Sequence, residues 1–125
     1  MHNFSFEKLS VYMESRKLVA MVYEIINSLP NSEKFALTGQ LQRAIISVPL
    51  NIAEGSGRRS IKEKIHFLEI SFGSLMEAYC QLQIALDLGY ISQEKFNEVK
   101  PQYFLVSRLL SGLVNSFQDK VQTSL

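Results

Sequence analysis

The sequence holds one cysteine, two histidines, three prolines and no tryptophan in 125 residues. A lone Cys80 cannot form an internal disulfide, which fits a reducing compartment, and the cytoplasm is the expected location. It lies near the apolar side of its helical stretch with no motif around it, so a buried, inert thiol is expected. His2 and His66 are too few for a metal cluster. His66 stands one turn beyond Lys62 and Glu63 with no third ligand in register, the pattern of a solvated pair. Long apolar runs are also missing: charges interrupt every hydrophobic stretch well short of the ~20 residues of a membrane span. The opening "MHNFSFEKLS" lacks the basic-then-apolar pattern of a secretory signal. Large net charge is absent too; a formal total of +1 argues against coating nucleic acid by charge alone.

What remains is apolar and helical. Hydrophobic residues make up 46% of the chain, enough for the core of one domain over residues 1–125. Apolar residues recur at helical spacing, as in Val11, Leu18, Val22, Ile25 and Leu29, and no strand alternation or repeat competes. "LPNSE" breaks the first helix, because the residue before Pro30 is pushed out of the helical region. Thr38 is the expected N-cap of the second helix, whose exit is Gly55 or Gly57. "SIKE" at Ser60–Glu63 is a capping box opening the third helix, which carries Ile61, Ile65, Leu68, Phe72, Leu75, Tyr79, Leu82 and Leu86 and stops at Gly89. Ser92 begins the fourth, with Pro101 as a kink or a first-turn proline. Short connections favour antiparallel neighbours. The expected fold is all-α, an antiparallel up-down-up-down four-helix bundle with helices at about 10–28, 38–56, 61–88 and 93–119.

The apolar surface exceeds what a solitary bundle needs. Phe67, Ile70 and Ile84 fall off the third helix's stripe, and Tyr12, Val19, Tyr23 and Ile26 widen the first, which favours a homo-oligomer. Gly73, with Ser71 and Ser74, forms a small-residue strip suited to close helix packing, either inside the bundle or between subunits.

Polar residues concentrate on the second helix. Gln40, Arg43, Ser47, Asn51, Glu54 and Arg58 follow one another at three or four residues and share one helical face. Pro49 frees the carbonyl of Ile45, for which Asn51 or Arg43 could supply a donor. The stripe reads as a polar network that fixes bundle or subunit register, or as a face turned to a ligand or nucleic acid. "EGSGRRS" is glycine-rich and basic, yet it lacks the phosphate-loop pattern and follows a helix rather than a strand. Arg58 and Arg59 precede a helix N-terminus, where free amides and the dipole favour anions, and Lys62 and Lys64 extend the patch. No serine-nucleophile elbow appears. No catalytic, cofactor-binding or metal-ligating residues are assigned, and no enzymatic activity is expected.

The run "QLQRAIISVPLNIAEGSGR" followed by "GSLMEA", within a similarity spanning residues 4 to 117, resembles the bacterial four-helix bundle proteins encoded by intervening sequences in the 23S ribosomal RNA gene. The matching positions are Gln40, Arg43, Ala44, Asn51, Ala53, Glu54, Gly55, Arg58, Gly73, Ser74 and Glu77. The resemblance implies an antiparallel bundle assembled into a homo-oligomeric ring, commonly a homopentamer, and no catalytic activity. It also implies kinship with the accessory variability determinant of diversity-generating retroelements, which binds nucleic acid and works with a reverse transcriptase. A ring repeats any patch about its axis, so Arg58, Arg59, Lys62 and Lys64 would form a basic rim. The expected partners are further copies of the chain and RNA or DNA. The alternative is a protein-interaction scaffold, for example beside a reverse transcriptase, with no direct nucleic-acid contact.

Overall fold

The apolar spacing closes into four helices. A computed structural model describes residues 3–123, so His2 lies outside the described residues. The helices are α1 (Ser10–Ile26), α2 (Leu37–Ser56), α3 (Ile61–Asp87) and α4 (Gln93–Thr123). Short 3-10 turns occupy Ser5–Lys8 and Asn31–Glu33, and no strand occurs among the described residues.

Local chemistry sets the ends. Past Ile26 the backbone tightens into i→i+3 bonds, Ser28 to Ile25 and Leu29 to Ile26, before Pro30 prevents continuation. α2 begins one residue earlier than expected, with Ala36 at the cap and no side-chain cap bond. The Glu33 carboxylate accepts from the Leu37 amide instead, at 3.4 Å. Thr38 is therefore inside the first turn, and its hydroxyl has no partner among the described residues. At α3 the Ser60 hydroxyl accepts from the Glu63 amide at 3.0 Å, the forward half of the expected box; the return bond is not made. Gly89, at φ 77°, closes α3 in a Schellman turn: the Tyr90 amide reaches the Ala85 carbonyl and the Gly89 amide that of Leu86. Ser92 caps α4 through the Lys95 amide, and α4 runs unbroken through Pro101.

The core draws on every helix. Leu18, Val22 and Ile25, then Leu41, Ile45, Val48 and Ile52, then Leu75 and Leu82, then Val106 and Leu110 are all fully buried. Along α3 the buried face is rotated from the expected stripe. Ser71, Ala78 and Ala85 lie in the core with Leu68, Leu75 and Leu82, while Ile61, Ile65, Phe72, Tyr79 and Leu86 are half-buried. Small side chains let α2 come close. Gly55 makes one such approach: an added Cβ would sit 2.9 Å from the Phe67 Cβ.

That rotation changes the reading of Cys80 and of the small-residue strip. Cys80 is exposed rather than buried. Gly73 faces outward with nothing within 4 Å of an added Cβ, so it makes no close crossing inside the chain; Gly55 does. Ser71 and Ser74 separate from it and turn to α2. On α1 the widening residues are absorbed by the core: Ile26 is buried, and Tyr12, Val19 and Tyr23 pack against it.

Cross-links fix which helices face each other. On α2 and α3, Ser47 meets Ser74 while Ser56 meets Lys64, so numbers rise along one helix as they fall along the other. On α1 and α4, Glu14 accepts from Gln102 and Glu24 pairs with Lys95, in the same opposed sense. Tyr79 of α3 packs on Phe96 and Tyr103 of α4, and the Tyr90 hydroxyl donates to Glu33 at 3.1 Å, joining two connections.

Candidate functional site

The polar stripe of α2 begins from its proline. Pro49 sits inside α2 and removes the amide that would bond the Ile45 carbonyl. The side-chain donors nearby go elsewhere. The Asn51 side-chain amide donates to both the carbonyl and the hydroxyl of Ser47, each at 2.8 Å. The Ser47 hydroxyl lies 2.8 Å from that of Ser74 on α3, and the buried Ser71 hydroxyl donates to the Val48 carbonyl at 2.8 Å. Asn51 thus serves Ser47 rather than Ile45. The middle of the stripe is a hydrogen-bonded clamp between α2 and α3 within one chain.

Toward the start of α2 the stripe opens into a shallow groove between Gln40, Arg43 and Ser47 on one side and Ser74 and Glu77 on the other. Arg43 is exposed and has no partner among the described residues, while Glu77 accepts from Gln81 at 3.4 Å.

At the other end stands the basic corner. Arg58 is held twice: it pairs with Glu54 at 2.9 Å, and its guanidinium stacks 4.5 Å over the Phe67 ring. Lys64 donates to the Ser56 carbonyl at 2.9 Å, a cation on the negative end of α2. Both act as braces across the α2–α3 connection. Arg59 and Lys62 are exposed, without partners among the described residues, beside the first turn of α3. The patch of four cations therefore divides into two that hold the corner and two that project from it.

Spacing of one turn allows Arg43 to reach Ser47, Asn51 to reach Ser47 or Glu54, and Glu54 to pair with Arg58; the structure makes Asn51–Ser47 and Glu54–Arg58. Spacing did not reveal Ser74 opposite Ser47, Phe67 beneath Arg58, or the Lys64–Ser56 bond, which depend on how α2 meets α3. His66 lies edge-on to Phe67 at 5.7 Å, and no three His, Cys, Asp or Glu side chains converge as metal ligands among the described residues.

The outer side of α3 completes the surface. Ile70, Met76, Ile84 and Leu88 are 39, 42, 43 and 55% exposed, and the exposed Gly73 and Cys80 lie on the same side. No helix among the described residues is long and apolar enough to cross a membrane.

The fold is shared with a solved structure. A protein of unknown function from the S23 ribosomal protein family of Bacteroides thetaiotaomicron is similar with a TM-score of 0.77 at 22% identity, over 83% of this chain and 97% of that one. No curated protein matches the sequence. The profile described as 23S rRNA-intervening sequence protein matches residues 7–112, a span that holds α1, α2, α3 and most of α4. The chain belongs to the 23S rRNA-intervening sequence protein family.

Proposed function

We propose that the protein is a non-catalytic, cytoplasmic up-down-up-down bundle that assembles with copies of itself into a ring and meets RNA or DNA phosphates at its α2–α3 corners. The opposed residue order across α2–α3 and α1–α4 supports the topology. The outward face of α3 carries the reading. Ile70, Met76, Ile84 and Leu88 stand opposite the core side with Gly73 open among them and the exposed Glu69, Glu77 and Asp87 interspersed, and exposed apolar side chains gathered on one side favour an interaction surface. A head-to-tail contact through it closes into a ring when the rotation between copies fits. The homopentamer is the size proposed.

Assembly repeats the corner around the axis. Arg59 and Lys62 supply the phosphate contacts, with the unspent amides at the start of α3 beside them. Arg58 and Lys64 shape the corner rather than touch the ligand. Binding of labelled single-stranded and duplex RNA and DNA across a salt series tests this. The expected result is affinity that falls steeply with salt, and a shallower slope in the double variant Arg59→Ala/Lys62→Ala. A flat salt response, or no binding at low salt, rejects the nucleic-acid contact.

A second reading rests on charge. Residues 67–99, which span most of α3, hold five acidic and one basic residue. An apolar stripe in such a field also suits a basic protein surface, such as that of a nucleic-acid enzyme like a reverse transcriptase. In that case the chain alone sediments as a monomer.

A further inference from the structure

One end of the molecule holds a cavity that borders the basic corner through Ser56 and Lys64. The first 3-10 turn, the end of α2, the start of α3 and the last turns of α4 converge around about 190 Å3 of space. Its wall is mostly apolar: Ile52 and Leu68 are buried there, and Leu113 and Phe117 close it from α4, half-buried. Polar atoms come from Ser5, Ser56 and Lys64, and no carboxylate lines it. Lys64 is the sole charged lining residue, and its bond to the Ser56 carbonyl holds the ammonium in place. One of its three donors is used, which leaves two for a ligand.

Size and charge together select a class of occupant. An apolar cavity of about 150 Å3 accepts benzene, so the volume here suits an apolar body of about six to eight carbons. One fixed cation with no opposing anion suits a single negative head group, whose hydrogen bonds to the ammonium are charge-assisted. We infer that this cavity is a binding site for a free monocarboxylate of that length, its tail among Ile52, Leu68, Leu113 and Phe117 and its head on Lys64. An occupant would pack against this wall and link the end of α2, the start of α3 and α4 through one small molecule.

Titration of the full chain with octanoate, octanol and octylamine, followed by amide NMR and by melting temperature, tests the inference. Octanoate is expected to saturate at one per chain, shift amides near residues 5, 52–56, 64–68 and 113–117, and raise the melting temperature. Octanol should bind about tenfold more weakly, the factor of one charge-assisted hydrogen bond, and octylamine more weakly still. Lys64→Met should reduce octanoate to the level of octanol, while Lys64→Arg keeps the preference. Leu113→Trp, which fills the cavity from a half-buried position, should remove binding of both; if it fails to fold, the Lys64 pair decides. No saturable binding, equal binding of all three amphiphiles, shifts confined to the outer face of α3, or an unchanged preference in Lys64→Met would each overturn the site. Binding only when octanoate is presented in phosphatidylcholine vesicles would overturn it as well.

Discussion

Tyr103 carries a hydroxyl into the core without a partner among the described residues, and its ring packs edge-on against Tyr79. Burial pushes its pKa above the ordinary value, with a smaller push from Tyr79. Tyr90 shifts the same way, chiefly because its hydroxyl donates to Glu33. The sign follows from proton counting. Between the unfolded value, about 10, and the raised folded value, the native state holds more protons, so stability falls as pH climbs through that window. The contribution is fully present below pH ~10. Tyr103→Phe deletes an unpaired polar atom, so urea unfolding at pH 7 should show stability unchanged or higher by up to about 1 kcal/mol. At pH 10.5 the variant should lose less stability than the parent, with the Tyr90 share left in place. A loss of more than about 2 kcal/mol at pH 7 would mean that the hydroxyl has a bonding partner.

At the scale of the element, two helical glycines make opposite predictions. Gly55 is buried where α2 meets α3, and an added methyl would press on the Phe67 Cβ and lie 3.4 Å from the Lys64 carbonyl. Overpacking costs about 1–3 kcal/mol, against about 1 kcal/mol gained from helix propensity, so Gly55→Ala should lower the melting temperature. Gly73 meets nothing, and Gly73→Ala should stabilise the single chain by about 1 kcal/mol while weakening self-association. Melting at low concentration and sedimentation at high concentration separate these effects; an unchanged mass in Gly73→Ala would remove that glycine from the contact. The contrast also shows what the chain's letters convey. Four helices follow from apolar spacing, and Ser60, Gly89 and Ser92 mark their ends through local bonds. The rotation of α3 does not follow, because the small Ser71, Ala78 and Ala85 carry little hydrophobic signal yet lie in the core beside Leu68, Leu75 and Leu82, with Ser71 bonded to Val48 of α2. Cys80 was thereby misplaced, and of the two readings of Gly73 the crossing inside the bundle is removed. Thr38 missed the cap because the helix already begins before it: the Gln40 amide that a Thr38 cap would serve bonds the Ala36 carbonyl. The candidate site divides in the same way: pairs one turn apart were readable, and those across helices were not.

For the whole molecule, the outward stripe of α3 is the feature with the largest expected effect. Ile84→Glu places a charge within it without touching the core, since Ile84 is 43% exposed. Helicity should persist, while the sedimenting species should drop toward the 14.3 kDa of one chain. Retention of a larger assembly would exclude this stripe as the contact. The same variant tests the basic corner, because a lone chain presents Arg59 and Lys62 once rather than around a rim, and its affinity for a long strand should fall.

The connection between α2 and α3 has a consequence of another kind. Residues 57–60 lie outside both helices, between the Ser56 carbonyl and the Lys64 ammonium that binds it. A trypsin cut after Arg59 would therefore leave two helical pairs, α1 with α2 and α3 with α4, of nearly equal length. Each pair leaves half the core uncovered, and the Ser47–Ser74 and Glu14–Gln102 bonds run between them rather than within them. The fold is thus built as two complementary fragments. A nicked chain should migrate as one particle until denatured, and separately made halves should find each other.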